Sequence, residues 1–88
     1  MASRSANILS GIETFVTLVN TGSFTNAAQS IGKSASFVSK EISRLEDRLG
    51  IRLLNRTTRS LTLTDMGALY FEQCRHIIAG AVAAEQSI

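Results

Sequence analysis

Lys40, Arg44 and Arg48 stand four residues apart, and Arg56 and Arg59 follow shortly beyond them. On a helix, residues spaced by four share a face, and like charges so placed repel by about 0.2–0.5 kcal/mol per pair. Two readings of the row stay open: a solvated face softened by Glu41 and Asp47, or a seat for an anion. Just ahead of the row lie Ser34, Ala35, Ser36 and Ser39. Small side chains let a helix backbone come close to base edges, serine hydroxyls can donate or accept, and Lys40 can reach a guanine edge or a phosphate. Thr25 and Asn26, at the start of a preceding short helix, can contact phosphate through side chains and free backbone N–H groups. The charge distribution agrees. The net charge is only +2, yet residues 33–59 carry seven bases against three acids, net +4. Residues 60–88 are net −2. A concentrated basic window fits a polyanion, and nucleic acid is the usual one.

Other chemistries lack their parts. One cysteine, Cys74, makes no internal disulfide, and one histidine, His76, makes neither a metal site nor a triad. Ser39 has no partner base, and Glu46 has no second catalytic group, so Glu46 is expected to make an internal hydrogen bond or ion pair. Cys74 is read as a buried thiol, His76 as a surface or interface residue, and Tyr70 and Phe71 as core and interface. No catalytic residue, metal or cofactor is expected in the chain. No apolar run approaches the roughly 18 residues that span a bilayer, and Met1–Ser5 lacks a signal-peptide core. A cytoplasmic setting is the expectation.

The elements that must position these residues follow from periodicity and punctuation. The chain has 88 residues, 44% hydrophobic and 18% charged, with no proline, which suits one small folded domain. Residues 1–6 are small and polar and are expected to be frayed and flexible. Ile8, Ile12, Phe15, Val16 and Val19 form one stripe of a helix over about 7–20, stopped by Asn20-Thr21-Gly22. Ser23 caps a short second helix whose buried face is Phe24, Ala27, Ala28 and Ile31, ended by Gly32. The paired alanines let a third helix come close. Ser34 caps that helix, over about 34–49, whose inner positions are Val38, Ile42, Leu45 and Leu49, with Gly50 as its stop.

Ile51–Leu54 and Leu61-Thr62-Leu63 read as the arms of a short hairpin whose tip carries Arg56 and Arg59. Thr64 caps a last helix running to the C-terminus, about 35 Å long. Its apolar positions, from Met66 to Val82, form a stripe wider than a three-helix core covers, so part of it is expected to seek a second chain. The fold class is therefore mainly α: a winged helix-turn-helix, with a three-helix core and a small β-hairpin wing, plus a long C-terminal linker helix. Residues 7–63 form the reading domain, with helix three in the major groove, and 64–88 the linker and pairing helix.

Several passages together resemble the N-terminal DNA-binding domain of LysR-type transcriptional regulators. They are Phe15-Val16, Gly22-Ser23-Phe24-Thr25-Asn26-Ala27-Ala28, Ser34-Ala35-Ser36-Phe37-Val38-Ser39-Lys40, Leu45-Glu46-Asp47-Arg48-Leu49-Gly50, Leu53-Leu54-Asn55-Arg56-Thr57-Thr58-Arg59 and Leu63-Thr64-Asp65-Met66-Gly67. The resemblance covers about 7–88. It implies sequence-specific binding of a double-stranded, roughly palindromic operator by a homodimer paired through the C-terminal helix. Ala35, Ser36, Ser39 and Lys40 then fall where bases are read, and Arg59 where the wing, about 55–60, enters the minor groove. The expected phosphate contacts are Ser23, Thr25, Asn26, Ser34, Arg44, Arg56, Thr57 and Thr58. The expected pairing residues are Tyr70, Cys74, Ile77, Ile78 and Ala81. Ala35-Ser36 stands where many members have Gln-Pro, Leu54 where Phe is frequent, and Lys40 where Arg is common; an ammonium lacks the fork that grips guanine at two points.

Family members carry a C-terminal two-lobed domain that binds a small effector. The chain stops at Ile88, where the linker helix would hand over, so it is expected to be a piece of such a regulator, with a naturally short relative as the alternative, and the effector is expected only on that absent domain. A helix-turn-helix used solely for protein contacts has no need of cations on both recognition helix and wing, and an enzyme would need a catalytic set. The molybdate-responsive regulators have a similar winged domain and stand as the alternative within the class.

Overall fold

The computed structural model describes residues 4–55 and 60–88, the Ser5 side chain aside. Four helices follow one another: α1 (Arg4–Thr21), α2 (Phe24–Ile31), α3 (Ala35–Leu49) and α4 (Asp65–Gln86). α1 starts at Arg4, so residues 4–6, expected to fray, are helical. No glycine or proline interrupts Arg4-Ser5-Ala6, and nothing there stops the helix from extending.

The starts and stops of α2, α3 and α4 lie where the local chemistry demands. Ser23, Ser34 and Thr64 each accept, through the side-chain hydroxyl, a backbone N–H three residues on: Asn26 at 3.0 Å, Phe37 at 3.0 Å and Gly67 at 2.9 Å. Each bond satisfies one of the donors a helix start leaves open. Gly32 and Gly50 end α2 and α3 in left-handed backbone, both at φ 71°, which glycine alone adopts at little cost. The turn between α2 and α3 is therefore three residues long and tight.

α1 is the hub. It packs against α2, α3 and α4, and α2 packs against α3, whereas among the described residues the α4 backbone meets no helix but α1. Phe15 and Leu18 of α1, Val38, Ile42 and Leu45 of α3, Leu53 and Cys74 are fully enclosed. The Phe15 ring lies tilted on Tyr70 at 5.7 Å and edge-on to Phe71 at 6.3 Å, so two aromatic contacts bind α4 to α1. Ala27 and Ala28 are buried against this core, as the expected close approach of α2 requires. Leu18 and Thr14 are also buried, although both lie off the single stripe expected of α1. A helix that touches three others buries more than one stripe.

The expected hairpin is reduced, among the described residues, to its stem. Leu54 and Leu63 form a single antiparallel bridge. Asn55 N–H donates to the Thr62 carbonyl at 3.0 Å, and the Asn55 side-chain amide donates to Thr62 Oγ1 and to the Leu63 carbonyl, both at 3.0 Å. Beyond the Leu53 carbonyl, which accepts the Thr64 N–H at 3.0 Å, the pairing goes no further among the described residues, because the N–H groups of Leu53 and Leu54 are taken by the Glu46 carboxylate and Thr64 already opens α4. The tip, residues 56–59, lies outside the described residues.

Candidate nucleic-acid interface

Helical geometry places Ser36, Ser39 and Lys40 on the outer face of α3, opposite the buried Val38, Ile42 and Leu45. All three are exposed, and so is Ala35 in the first turn. Ser43, four residues beyond Ser39 and also exposed, continues this face; the expected site omitted it, although the i, i+4 spacing from Ser39 was the available signal. The face is short-chained along its length and carries Lys40 as its cation. At its edge the start of α2 presents exposed Thr25 and Asn26. The hydroxyls of Ser23 and Ser34 are each used as acceptors in their own caps. That leaves the hydroxyl hydrogen of each free in principle to donate outward.

The basic window is less uniform than the spacing of the row suggests. The i, i+4 row turns progressively around α3 because four residues overshoot one turn. Arg44 approaches Glu41 at 3.6 Å, and Glu41 in turn accepts the Ser10 hydroxyl of α1 at 2.9 Å. The Arg44 side chain nevertheless remains 71% exposed, so its charge still projects to solvent. Arg48 has swung to the α1 side, where its guanidinium passes Gly11 closely enough that a Cβ there would sit 3.3 Å away. It also reaches the Tyr70 hydroxyl of α4. Lys33 lies 5.4 Å over the Phe37 ring, a cation–π contact, and Arg52 pairs with Glu46 at 3.2 Å. Of the described bases in residues 33–59, Lys40 lies on the serine face, Arg44 lies at its margin, and the other three brace the fold.

Glu46 behaves as expected of it. It is 2% exposed and makes internal bonds with the segment after α3. Burial pushes the Tyr70 hydroxyl up to about 12; the neighbouring Cys74 adds to the rise and Arg48 opposes it. Burial likewise pushes the Cys74 thiol up, with the Tyr70 hydroxyl bond opposing, which keeps it protonated and unreactive at neutral pH. Among the described residues no group of histidine, cysteine and acidic side chains is placed to hold a metal.

The residues expected to pair two chains divide. Cys74 is fully enclosed inside its own chain, which corrects its placement at the interface: α4 turns it toward Phe15 and the core, and it offers no area to a partner. Tyr70 and Ile78 are half-buried against the same core. Ile77 and Ala81 are exposed. Met66, Leu69 and Val82, not among the expected pairing residues, are exposed as well, Leu69 at 62%. Arg56, Thr57, Thr58 and Arg59 lie outside the described residues, so the expected wing contacts have no structural counterpart here.

A short helix abutting a second through a tight glycine turn, with the second exposing a small-residue face, defines a helix-turn-helix protein. Residues 9–68 match the family described as "Bacterial regulatory helix-turn-helix protein, lysR family". The chain belongs to that family, as the resemblance in its sequence implied. It is 49% identical over 70 residues to an HTH-type transcriptional repressor of Pseudomonas aeruginosa, covering 80% of this chain and 22% of that one. It is 48% identical over 71 residues to the HTH-type transcriptional regulator CrgA of Neisseria meningitidis, covering 81% and 24%. The chain thus spans less than a quarter of the length of these relatives. Its fold superimposes on the BenM DNA-binding domain from the complex with benA site 1 DNA. The TM-score is 0.85 at 28% identity, over 90% of this chain and 89% of that one. Among the described residues no helix is long and apolar enough to cross a membrane.

Proposed function

We propose that this chain reads a double-stranded DNA operator as part of a homodimeric LysR-type transcriptional regulator, in the cytoplasm, without enzymatic activity or a cofactor of its own. The observation that carries the reading is the outer face of α3. Ser36, Ser39, Lys40 and Ser43 form an exposed, short-chained surface that can enter a major groove, beside the starts of α2 and α3, which suit flanking phosphates. The BenM domain of the same fold, solved on DNA, supports it. Ala35, Ser36, Ser39 and Lys40 read bases from the major groove. Ser23, Thr25, Asn26, Ser34 and Arg44 hold the backbone. Arg56, Thr57, Thr58 and Arg59 complete the contacts from the wing, with Arg59 in the minor groove. Pairing runs through the outer side of α4, where Ile77 and Ala81 join Met66 and Leu69, flanked by the half-buried Tyr70 and Ile78. Any small-molecule effector acts through parts of the regulator beyond these residues.

The test is a duplex selected from random DNA by this chain, followed by affinity measurements against that duplex and a scrambled one. Affinity should fall steeply between roughly 50 and 200 mM salt, because each neutralised phosphate contributes a slope of about 0.9 in log–log terms. Ser39→Ala should weaken binding to the selected duplex alone, and Arg44→Ala should weaken both alike. A flat salt dependence, or failure to select any sequence, refutes the reading.

A further inference from the structure

Glu46 is an acid on the recognition helix, two turns beyond Ser39, yet it is 2% exposed because the segment after Gly50 covers it. Burying a carboxylate is costly unless it is well bonded, and this one clasps the segment that follows α3. Its Oε2 accepts the N–H groups of Leu53 at 2.8 Å and Leu54 at 3.3 Å, and its Oε1 accepts Arg52 Nη1 at 3.2 Å. Its backbone carbonyl takes the N–H groups of Gly50 and Ile51. The clasped segment then holds α4 from its other side. The Arg52 carbonyl accepts the Thr64 hydroxyl at 2.6 Å, and the Leu53 carbonyl accepts the Thr64 N–H at 3.0 Å. Thr64 is the cap of α4, and Gly67 in its first turn lies directly against the Leu53 carbonyl. The backbones of α3 and α4 do not pack on each other. Among the described residues, this chain of directed hydrogen bonds joins the reading helix to the start of the pairing helix, beside the apolar core that both helices share.

We propose that Glu46 is a positioning residue that fixes the angle between the recognition helix and α4, and thereby the separation of half-sites that the paired protein accepts. The inference rests on the proposed reading of DNA by a dimer. When two copies pair through α4, the distance between their recognition helices is set by how each α3 is held relative to its own α4. A charge-assisted, multiply bonded latch holds that relation more narrowly than apolar packing, which tolerates sliding. Glu46 touches no DNA in this arrangement. Its effect is on spacing rather than on the choice of bases.

The experiment measures affinities of the 88-residue chain for duplexes whose two half-sites are separated by one-base-pair steps, and for duplexes with one half-site base changed. The wild type should show one sharp optimum of spacing. Glu46→Gln removes the charge and turns one acceptor oxygen into an NH2 donor, so the bonds to Leu53, Leu54 and Arg52 can no longer all be made. It should speed amide exchange at Leu53 and Leu54 and reduce the preference for the best spacing over its neighbours by about tenfold, the worth of one charge-assisted bond. Base discrimination within each half-site should stay within about twofold of wild type, because the serine face is untouched. Thr64→Val, which cuts the same path at its other end, should flatten the profile too, and Thr64→Ser should restore it. A folded Glu46→Gln with an unchanged spacing profile, or a loss equal at every spacing, overturns the proposal. If Glu46→Gln does not fold, the same two outcomes in Thr64→Val overturn it instead. A wild type that binds selected half-sites without any preferred spacing overturns this inference alone, whereas a wild type that selects no DNA overturns the DNA reading beneath it.

Discussion

Gly67→Ala should destabilise the fold, although alanine is the better helix former. A Cβ at Gly67 would stand 2.9 Å from the Leu53 carbonyl carbon and 3.1 Å from its Cα, and would overlap the carbonyl oxygen outright. Ordinary contact begins near 3.4 Å. The obstacle is backbone in a fully enclosed residue, held by Glu46 on one side and Thr64 on the other, so no side-chain rotation relieves it. Alanine gains about 1 kcal/mol of helix propensity over glycine. Against this stand about 1–3 kcal/mol of overpacking and about 1 kcal/mol for each Thr64 bond strained as α4 lifts. The net is a loss of about 2–4 kcal/mol, or a fall in Tm of about 8–32 °C for a domain of this size. Gly80→Ala, in the same helix with nothing within 4 Å, should instead raise Tm, by about 0.5–1 kcal/mol of stability. Thermal unfolding followed by far-UV circular dichroism, diluted until Tm no longer depends on concentration, separates the two. A Gly67→Ala protein as stable as wild type would show that α4 is not seated on Leu53 and would remove the path on which the role of Glu46 depends.

Ile77→Lys should leave Tm of the dilute protein within about 0.5 kcal/mol of wild type, as surface changes do, because Ile77 is 47% exposed. It should abolish pairing in sedimentation at concentrations where the wild type is dimeric; an undiminished dimer would move the interface elsewhere. Tyr70 is the lone tyrosine, so tyrosinate absorbance reads it alone. The folded protein should titrate at about 12 against about 10 when unfolded. The folded state keeps the proton that the unfolded state releases, so the stability from Tyr70 is complete below pH 10 and is lost as pH rises from 10 through 12. A folded midpoint near 10 would place the hydroxyl in water.

The parts of this fold that local chemistry decides were legible in the sequence. Ser23, Ser34 and Thr64 each cap the helix expected of them, because a hydroxyl three residues before an orphan N–H finds it within one turn. Gly32 and Gly50 stop their helices for an equally local reason. What was not legible depends on neighbours distant in the chain. Thr14 and Leu18 of α1 fall off the expected stripe, and their burial follows from α1 being surrounded by three helices. The row of Lys40, Arg44 and Arg48 reads as one cationic face, yet Arg48 serves Tyr70 of α4. That partner lies 22 positions on in the chain, and no spacing rule links the two. Glu46 could be expected to bond internally; which backbone it would hold could not, since the answer depends on how the segment after Gly50 turns back.

The last helix shows the limit most clearly, and the reason bears on function. Its apolar positions read as one wide stripe, and excess width argues for a partner. Width alone does not say which residues meet the partner, because hydrophobicity records preference for leaving water and not the surface left it for. The structure divides the stripe by direction. Gly67, Cys74 and the half-buried Phe71 and Ile78 turn toward α1 and Leu53, whereas Met66, Leu69 and Ile77 remain largely exposed. The inward set anchors α4 to the first three helices, and the outward set is the surface that the proposed pairing of two copies would use. Because both sets lie on one continuous helix, pairing two copies also orients two reading faces. On the proposed role of Glu46, the hydrogen bonds joining it to Thr64 would then decide how faithfully that orientation is passed on.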